Sequence, residues 1–160
     1  MRFSPFLVAL SAVLTVSCTQ VQTTCITDVA DLPLKKTDLP DMGSWENAPL
    51  RANAQYVLFG ANSNRERRNR LGDYYFVDWY DAEPQKPVRL VMRYTQAATG
   101  TKELTRTVEY KEPRAEAASH KEKFFFSGPE RARQGDVMTW RMELYCGGKM
   151  VDSRQSYLWE

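Results

Sequence analysis

Between Gly135 and Cys146 the chain alternates greasy and polar side chains over a whole strand length. Met138, Trp140, Met142, Leu144 and Cys146 fall on one face, and Thr139, Arg141, Glu143 and Tyr145 fall on the other. A repeat of two belongs to extended chain with one face buried, because successive side chains point to opposite sides. An α-helix would scatter the same five residues around its circumference. Gly147-Gly148 follows as a two-residue turn suited to a hairpin, and Lys149 to Trp159 reads as the returning strand.

The same rhythm recurs upstream. Val88, Leu90, Met92 and Tyr94 share a face opposite Arg89 and Arg93, and Leu104, Val108 and Tyr110 alternate with Glu103, Thr105, Thr107 and Glu109. Gln55–Phe59, Tyr74–Tyr80 and His120–Phe126 are three further runs of β-formers. Residues 60–70 read as a polar loop, and 112–119 as one short helical turn. Turn signals come too close together for crossover helices, which excludes a parallel sheet. Seven strands within residues 53–160 therefore predict an all-β, antiparallel β-sandwich.

This domain resembles the immunoglobulin-like and fibronectin type III-like sandwiches. The resemblance rests on Trp79 near the end of the second strand, on the aliphatic third strand with Tyr94, and on the Gly135-Asp136 entry into a Trp140-bearing strand. It departs from the immunoglobulin pattern in lacking the intersheet cysteine pair. Such sandwiches serve adhesion, scaffolding and ligand binding, and the architecture chooses none of these.

Residues 1–17 read as an export signal outside the fold. Arg2 precedes an apolar stretch, Phe6 to Val16, shorter than the roughly 20 residues that span a bilayer. The run Leu14-Thr15-Val16-Ser17-Cys18 resembles the bacterial lipoprotein signal, which is cleaved before a cysteine that then carries lipid. Ser17 and Cys18 match it, whereas Thr15 stands where the family prefers Leu, Val or Ile. The resemblance implies lipidation at Cys18 and anchorage to a membrane through that lipid. Thr19 resembles the outer-membrane sorting choice, so the expected location is the cell envelope. Residues 18–52, with Pro33, Pro40 and Pro49, read as an extended tether in which Trp45 either packs back on the domain or contacts a partner.

The chain has three cysteines. With Cys18 lipidated, Cys25 and Cys146 are left, and two readings stay open: a disulfide closing a very long loop, or a buried thiol at Cys146 beside an idle Cys25.

No enzyme signature stands out. His120 is the single histidine, at a strand start beside Lys121 and Glu122, which reads as a surface position and cannot supply a multi-histidine metal site. No Gly-x-Ser-x-Gly elbow and no phosphate-cradling glycine loop occurs. Asp78 and Asp81 lie close in sequence, but nothing singles them out as an acid–base pair. The expectation is a non-enzymatic module with no cofactor and no metal. Its net charge of +2 gives no reason to expect nucleic acid or an anionic membrane as the main partner.

Two features stand out as candidate contacts for an envelope protein or a glycan. One is the run Arg65, Arg67, Arg68 and Arg70, whose guanidinium forks suit the phosphates of lipid headgroups or lipopolysaccharide and the carboxylates of an acidic partner, but which also reads as a solvated loop that keeps edge strands from pairing. The other is the second strand, where Tyr75, Val77 and Trp79 share one face and Tyr74, Phe76 and Tyr80 the other. One face fills the core. The other is a binding strip, for protein or carbohydrate, unless residues 26–50 cover it.

Overall fold

The structure is a computed structural model that describes residues 23–35 and 48–159. The signal segment, Cys18 and Trp45 lie outside the described residues. Seven strands form two antiparallel sheets, as expected of an all-β sandwich. They are β1 (Cys25–Leu34), β2 (Gly72–Asp81), β3 (Val88–Gln96), β4 (Leu104–Tyr110), β5 (Ala118–Ser127), β6 (Val137–Cys146) and β7 (Lys149–Gln155). The order is β1-β2-β5 in one sheet and β4-β3-β6-β7 in the other. Three short helices sit at connections: α1 (Ala48–Leu58), α2 (Asn64–Asn69) and α3 (Gly128–Gln134).

The main core lies between the sheets. Tyr75, Val77 and Trp79 from β2 meet Leu90, Met92 and Tyr94 from β3 and Met142 and Leu144 from β6. The alternation in β6 holds as expected from Trp140 to Cys146. Met138 departs from it and is exposed. In the pairing with β3, Thr95 faces Thr139 and Gln96 faces Val137, so Met138 is the extra residue of a bulge and leaves the core face.

The first strand is not where the sequence places it. Residues 55–58 belong to α1 and Phe59 to the turn after it, and the seventh strand of the sandwich is β1, inside the stretch read as tether. A bulge between Ile26 and Asp28 explains why β1 shows no sustained period. Ile26 packs into the main core, whereas Leu32 and Leu34, beyond the bulge, face the other side of the sheet. Pro33 is tolerated because β1 is an edge strand, where a missing N–H on the free side costs no ladder bond.

α1 forms because Leu50, Ala54 and Val57 recur at helical spacing, with Pro49 in the first turn. Their stripe covers Leu32, Leu34 and Tyr74 and makes a second core on the outer face of the three-stranded sheet. α2 replaces the expected polar loop. Ser63 and Glu66 cap each other's backbone N–H groups there, which satisfies the orphan donors of its first turn. The helical turn expected at 112–119 is absent. Residues 112–117 are an irregular loop leading into β5, which takes in Ala118 and Ser119, and the loop is pinned by Arg114 to the buried Asp81.

Side chains close both open edges of the sandwich. On one side Asp152 accepts the Ile26 N–H at 2.9 Å and Arg154 donates to the Ile26 carbonyl at 3.0 Å. On the other, the Arg106 guanidinium holds the Phe125 carbonyl and Glu130, and the Tyr110 phenol donates to Glu122 at 2.6 Å. Edge backbone tied up in this way is a poor template for pairing with another chain.

Candidate functional site: a groove beneath the first helix

α1 crosses the outer face of the three-stranded sheet but covers only part of it. Its buried side chains, Ala54 and Val57, sit over Tyr74. Towards its N-terminus the helix leaves a groove of about 620 Å³ above Asp28, Ala30, Phe76 and Asp78. Asn53 and Tyr56 form the helical wall, and Lys121 and Lys123 of β5 the opposite one. A second hollow of about 370 Å³ continues past Tyr56, between Val57, Arg70, Tyr74 and Phe125.

Tyr56 stands between the two hollows and is 64% exposed. Its ring meets Phe76 edge-on, with centroids 6.5 Å apart. The Lys123 ammonium lies 5.1 Å from the Tyr56 centroid and 5.6 Å from that of Phe125, within cation–π range of both. Phe125 in turn stacks on Tyr74 at 6.2 Å. Across the floor, Lys121 bonds Asp78 at 3.0 Å; both side chains are wet, so the pair adds little stability and can be exchanged for a ligand's charge.

The aromatic strip expected on β2 is therefore divided. Tyr74 is buried under α1, and its hydroxyl donates to the Arg70 carbonyl at 2.6 Å. Burial pushes that phenol above its ordinary range. Phe76 is a half-buried groove wall, and Tyr80 lies beyond the groove, half-buried near the far end of β2. The cover comes mainly from α1, whose residues 55–58 fall in the run that reads as the domain's first strand. Tyr56 and Lys123, the centre of the site, carried no sequence signal beyond the helical stripe next to them.

The arginine run splits as well. Arg67 donates to the Ala61 carbonyl at 3.3 Å, and Arg70 to the carbonyls of Val57 and Phe59, which closes the C-terminal end of α1. Arg65 and Arg68 are exposed.

Cys25 and Cys146 are free thiols. Thr24 and Ile26 are buried and Cys25 is less so, as the pleat requires for neighbours on opposite faces. Ile26 shares the core with Cys146, so Cys25 is turned away from it. Burial and the nearby Glu83 push the Cys146 thiol up, which makes it a poor nucleophile.

His120 is not a plain surface residue. It stacks on the fully buried Trp79 at 4.4 Å, and its Nε2 is buried without a hydrogen-bond partner among the described residues. Asp78 and Asp81 sit on opposite faces of β2, three residues apart. Asp78 faces the groove, and Asp81 is buried and bound by Arg114. Among the described residues no group of three or more His, Cys, Asp or Glu is placed to hold a metal ion, and no helix is long and apolar enough to cross a membrane. Compared with protein-family models, with curated proteins and with solved structures, the chain matches none of them.

Proposed function

We propose that the protein is a non-enzymatic interaction module of the cell envelope, which takes a protein partner in the groove between α1 and the outer face of the β1-β2-β5 sheet. The observation that carries this reading is Tyr56. It is an exposed ring braced by Phe76 and Lys123 between two hollows, with exchangeable charges at Asp78 and Lys121. Interfaces draw most of their affinity from such aromatic anchors beside pockets. The apolar segment at residues 6–16 and the Ser17-Cys18 pair support export and lipid attachment at Cys18. Each buried CH₂ of an acyl chain would add about 0.8 kcal/mol of membrane affinity.

The test is capture from detergent-solubilised envelopes with the full chain, alongside Tyr56→Ala and Lys123→Glu. A partner retained by the native chain and lost by both variants supports the groove. A partner captured equally by all three removes it. The mass of the mature chain reports cleavage and lipidation independently. A second reading, carbohydrate binding, draws on Phe76 flanked by Asn53, Asp28 and Asp78, which offers a ring face with amide and carboxylate groups beside it. Glycan-array binding that is lost in Phe76→Ala would favour it over a protein partner.

A further inference from the structure

The near balance of charge along the chain conceals a local excess. Residues 65–70 hold four arginines against Glu66 alone, more positive charge than the net +2 of the whole chain. They lie in α2 and, for Arg70, at its C-terminal cap; α2 meets α3 at the pole of the sandwich where β2 begins and β5 ends. The carboxylates of this pole are already engaged. Glu66 accepts the N–H groups of Asn62 and Ser63, Glu130 is held by Arg106, and Arg131 bonds both Asp73 and Asp136. The side chains of Arg65, Arg68 and Arg133 are exposed and make no hydrogen bond or ion pair among the described residues.

Apolar side chains gather at the same pole. Phe59 is 84% exposed in the turn between α1 and α2. β7 ends beside Trp140, and the chain beyond it carries Tyr157 and Leu158, 100% and 65% exposed, near the bulged Met138. Rings and a leucine on turns, at the same end of the strands as uncommitted guanidinium groups, match the chemistry of a headgroup layer. Arginine forks bond phosphate there, and aromatic rings settle at the boundary with the acyl chains.

We propose that this pole docks on an anionic lipid surface, with Arg65, Arg68 and Arg133 on headgroup phosphates and Phe59, Tyr157 and Leu158 at the interface. A lipid surface fits better than an acidic protein because Phe59 and Tyr157 stand almost fully exposed on turns, next to guanidinium groups that no carboxylate of this pole engages. The test uses the full chain with Cys18→Ser, so that no acyl chain contributes, in co-sedimentation with phosphatidylglycerol or phosphatidylcholine vesicles.

The proposal expects a strong preference for phosphatidylglycerol that weakens with salt. At about 1 kcal/mol per basic side chain near an anionic surface, Arg65→Ala/Arg68→Ala/Arg133→Ala should lose on the order of 100-fold in affinity. The corresponding triple lysine variant should keep most of it, and Phe59→Ser with Leu158→Ser should weaken binding without changing the salt slope. Equal binding to both vesicle types, or undiminished binding by the triple alanine variant, overturns the proposal. So does binding to polyglutamate with indifference to Phe59→Ser, which would assign the pole to an acidic protein.

Discussion

The carboxylate of Asp81 is completely buried and is bound by the guanidinium of Arg114, which reaches it from the loop before β5. Arg114 also donates to the Lys86 carbonyl at 2.6 Å, so one side chain ties the end of β2 to two loops. Removing one partner of a buried pair leaves an uncompensated charge. Arg114→Ala is expected to cost about 3–5 kcal/mol in urea unfolding. A double variant, Asp81→Asn with Arg114→Met, should recover much of that loss because no charge is then stranded. Arg114→Lys should recover less, lacking the second arm.

Gly72 marks a close approach of two backbones. A Cβ there would lie 2.0 Å from the Phe126 carbonyl oxygen and 2.9 Å from the Ser127 Cα. Neither can yield without opening the β2–β5 ladder. Gly72→Ala is therefore expected to lose the cooperative unfolding transition or to lower Tm sharply. Gly60→Ala is the comparison. Gly60 has a φ of +77° with open space around it, so only backbone strain of about 1–2 kcal/mol is expected.

Thiol accessibility should separate the two cysteines. In a chain carrying Cys18→Ser, Cys25 is expected to react with an aromatic disulfide reagent in the folded state. Cys146 should react only as fast as the domain opens, since it is buried and its thiol is shifted upward. Two thiols reacting at the same rapid rate would contradict the packing of Cys146.

The capping box of α2 makes that helix acid-sensitive. Hydrogen bonds from the Ser63 and Asn62 backbones hold Glu66 below its ordinary value of 4.5. A lowered value in the folded chain means the carboxylate form is the stabilising one. Its contribution is present above pH 4.5 and disappears as pH falls through the lowered value. Amide exchange in residues 64–69 should accelerate over that range in the native chain. Glu66→Gln should make the exchange insensitive to pH there, after correction for intrinsic rates.

Tyr110 behaves in the opposite direction. Burial first, then Glu122, raise its phenol above 10.0. The neutral phenol stabilises the fold, so this contribution is whole below pH 10 and is lost as pH rises through the shifted value. Tyr110→Phe should lower stability at pH 7 by about 1–3 kcal/mol, since the Glu122 Oε2 loses its donor while Oε1 keeps the Lys123 N–H. It should also flatten the alkaline limb of the stability profile.

The two-sheet architecture was legible wherever a strand kept one face on one side over most of its length. β3 up to Thr95, β4, and β6 from Trp140 onward were readable for that reason. β1 was hidden because its bulge moves the apolar set from one face to the other between Ile26 and Leu32, and because Pro33 reads as a tether residue. α1 was hidden because Gln55–Phe59, taken alone, is rich in β-formers; the helical stripe appears only when Leu50 and Ala54 are included. The groove was half legible. Phe76 was singled out from the second strand, but Tyr56 and Lys123 become neighbours only when α1 is laid across β5. The arginine run was visible from the start, whereas its division between Arg70, committed to α1, and Arg65 and Arg68, left free, depends on where α2 begins and ends.

Cys25 lies opposite Tyr80, and Leu34 lies opposite Gly72. The amino-terminal stretch thus joins the sandwich at one extremity, and Phe59, Arg65 and Arg68 occupy the other, roughly 30 Å away at about 3.3 Å per strand residue. Held by an acyl group at Cys18, such a molecule would be a strut. Its leash would grip one leaflet while its basic, ring-bearing cap would point across the intervening space, so stiffness between the two ends would matter as much as either contact.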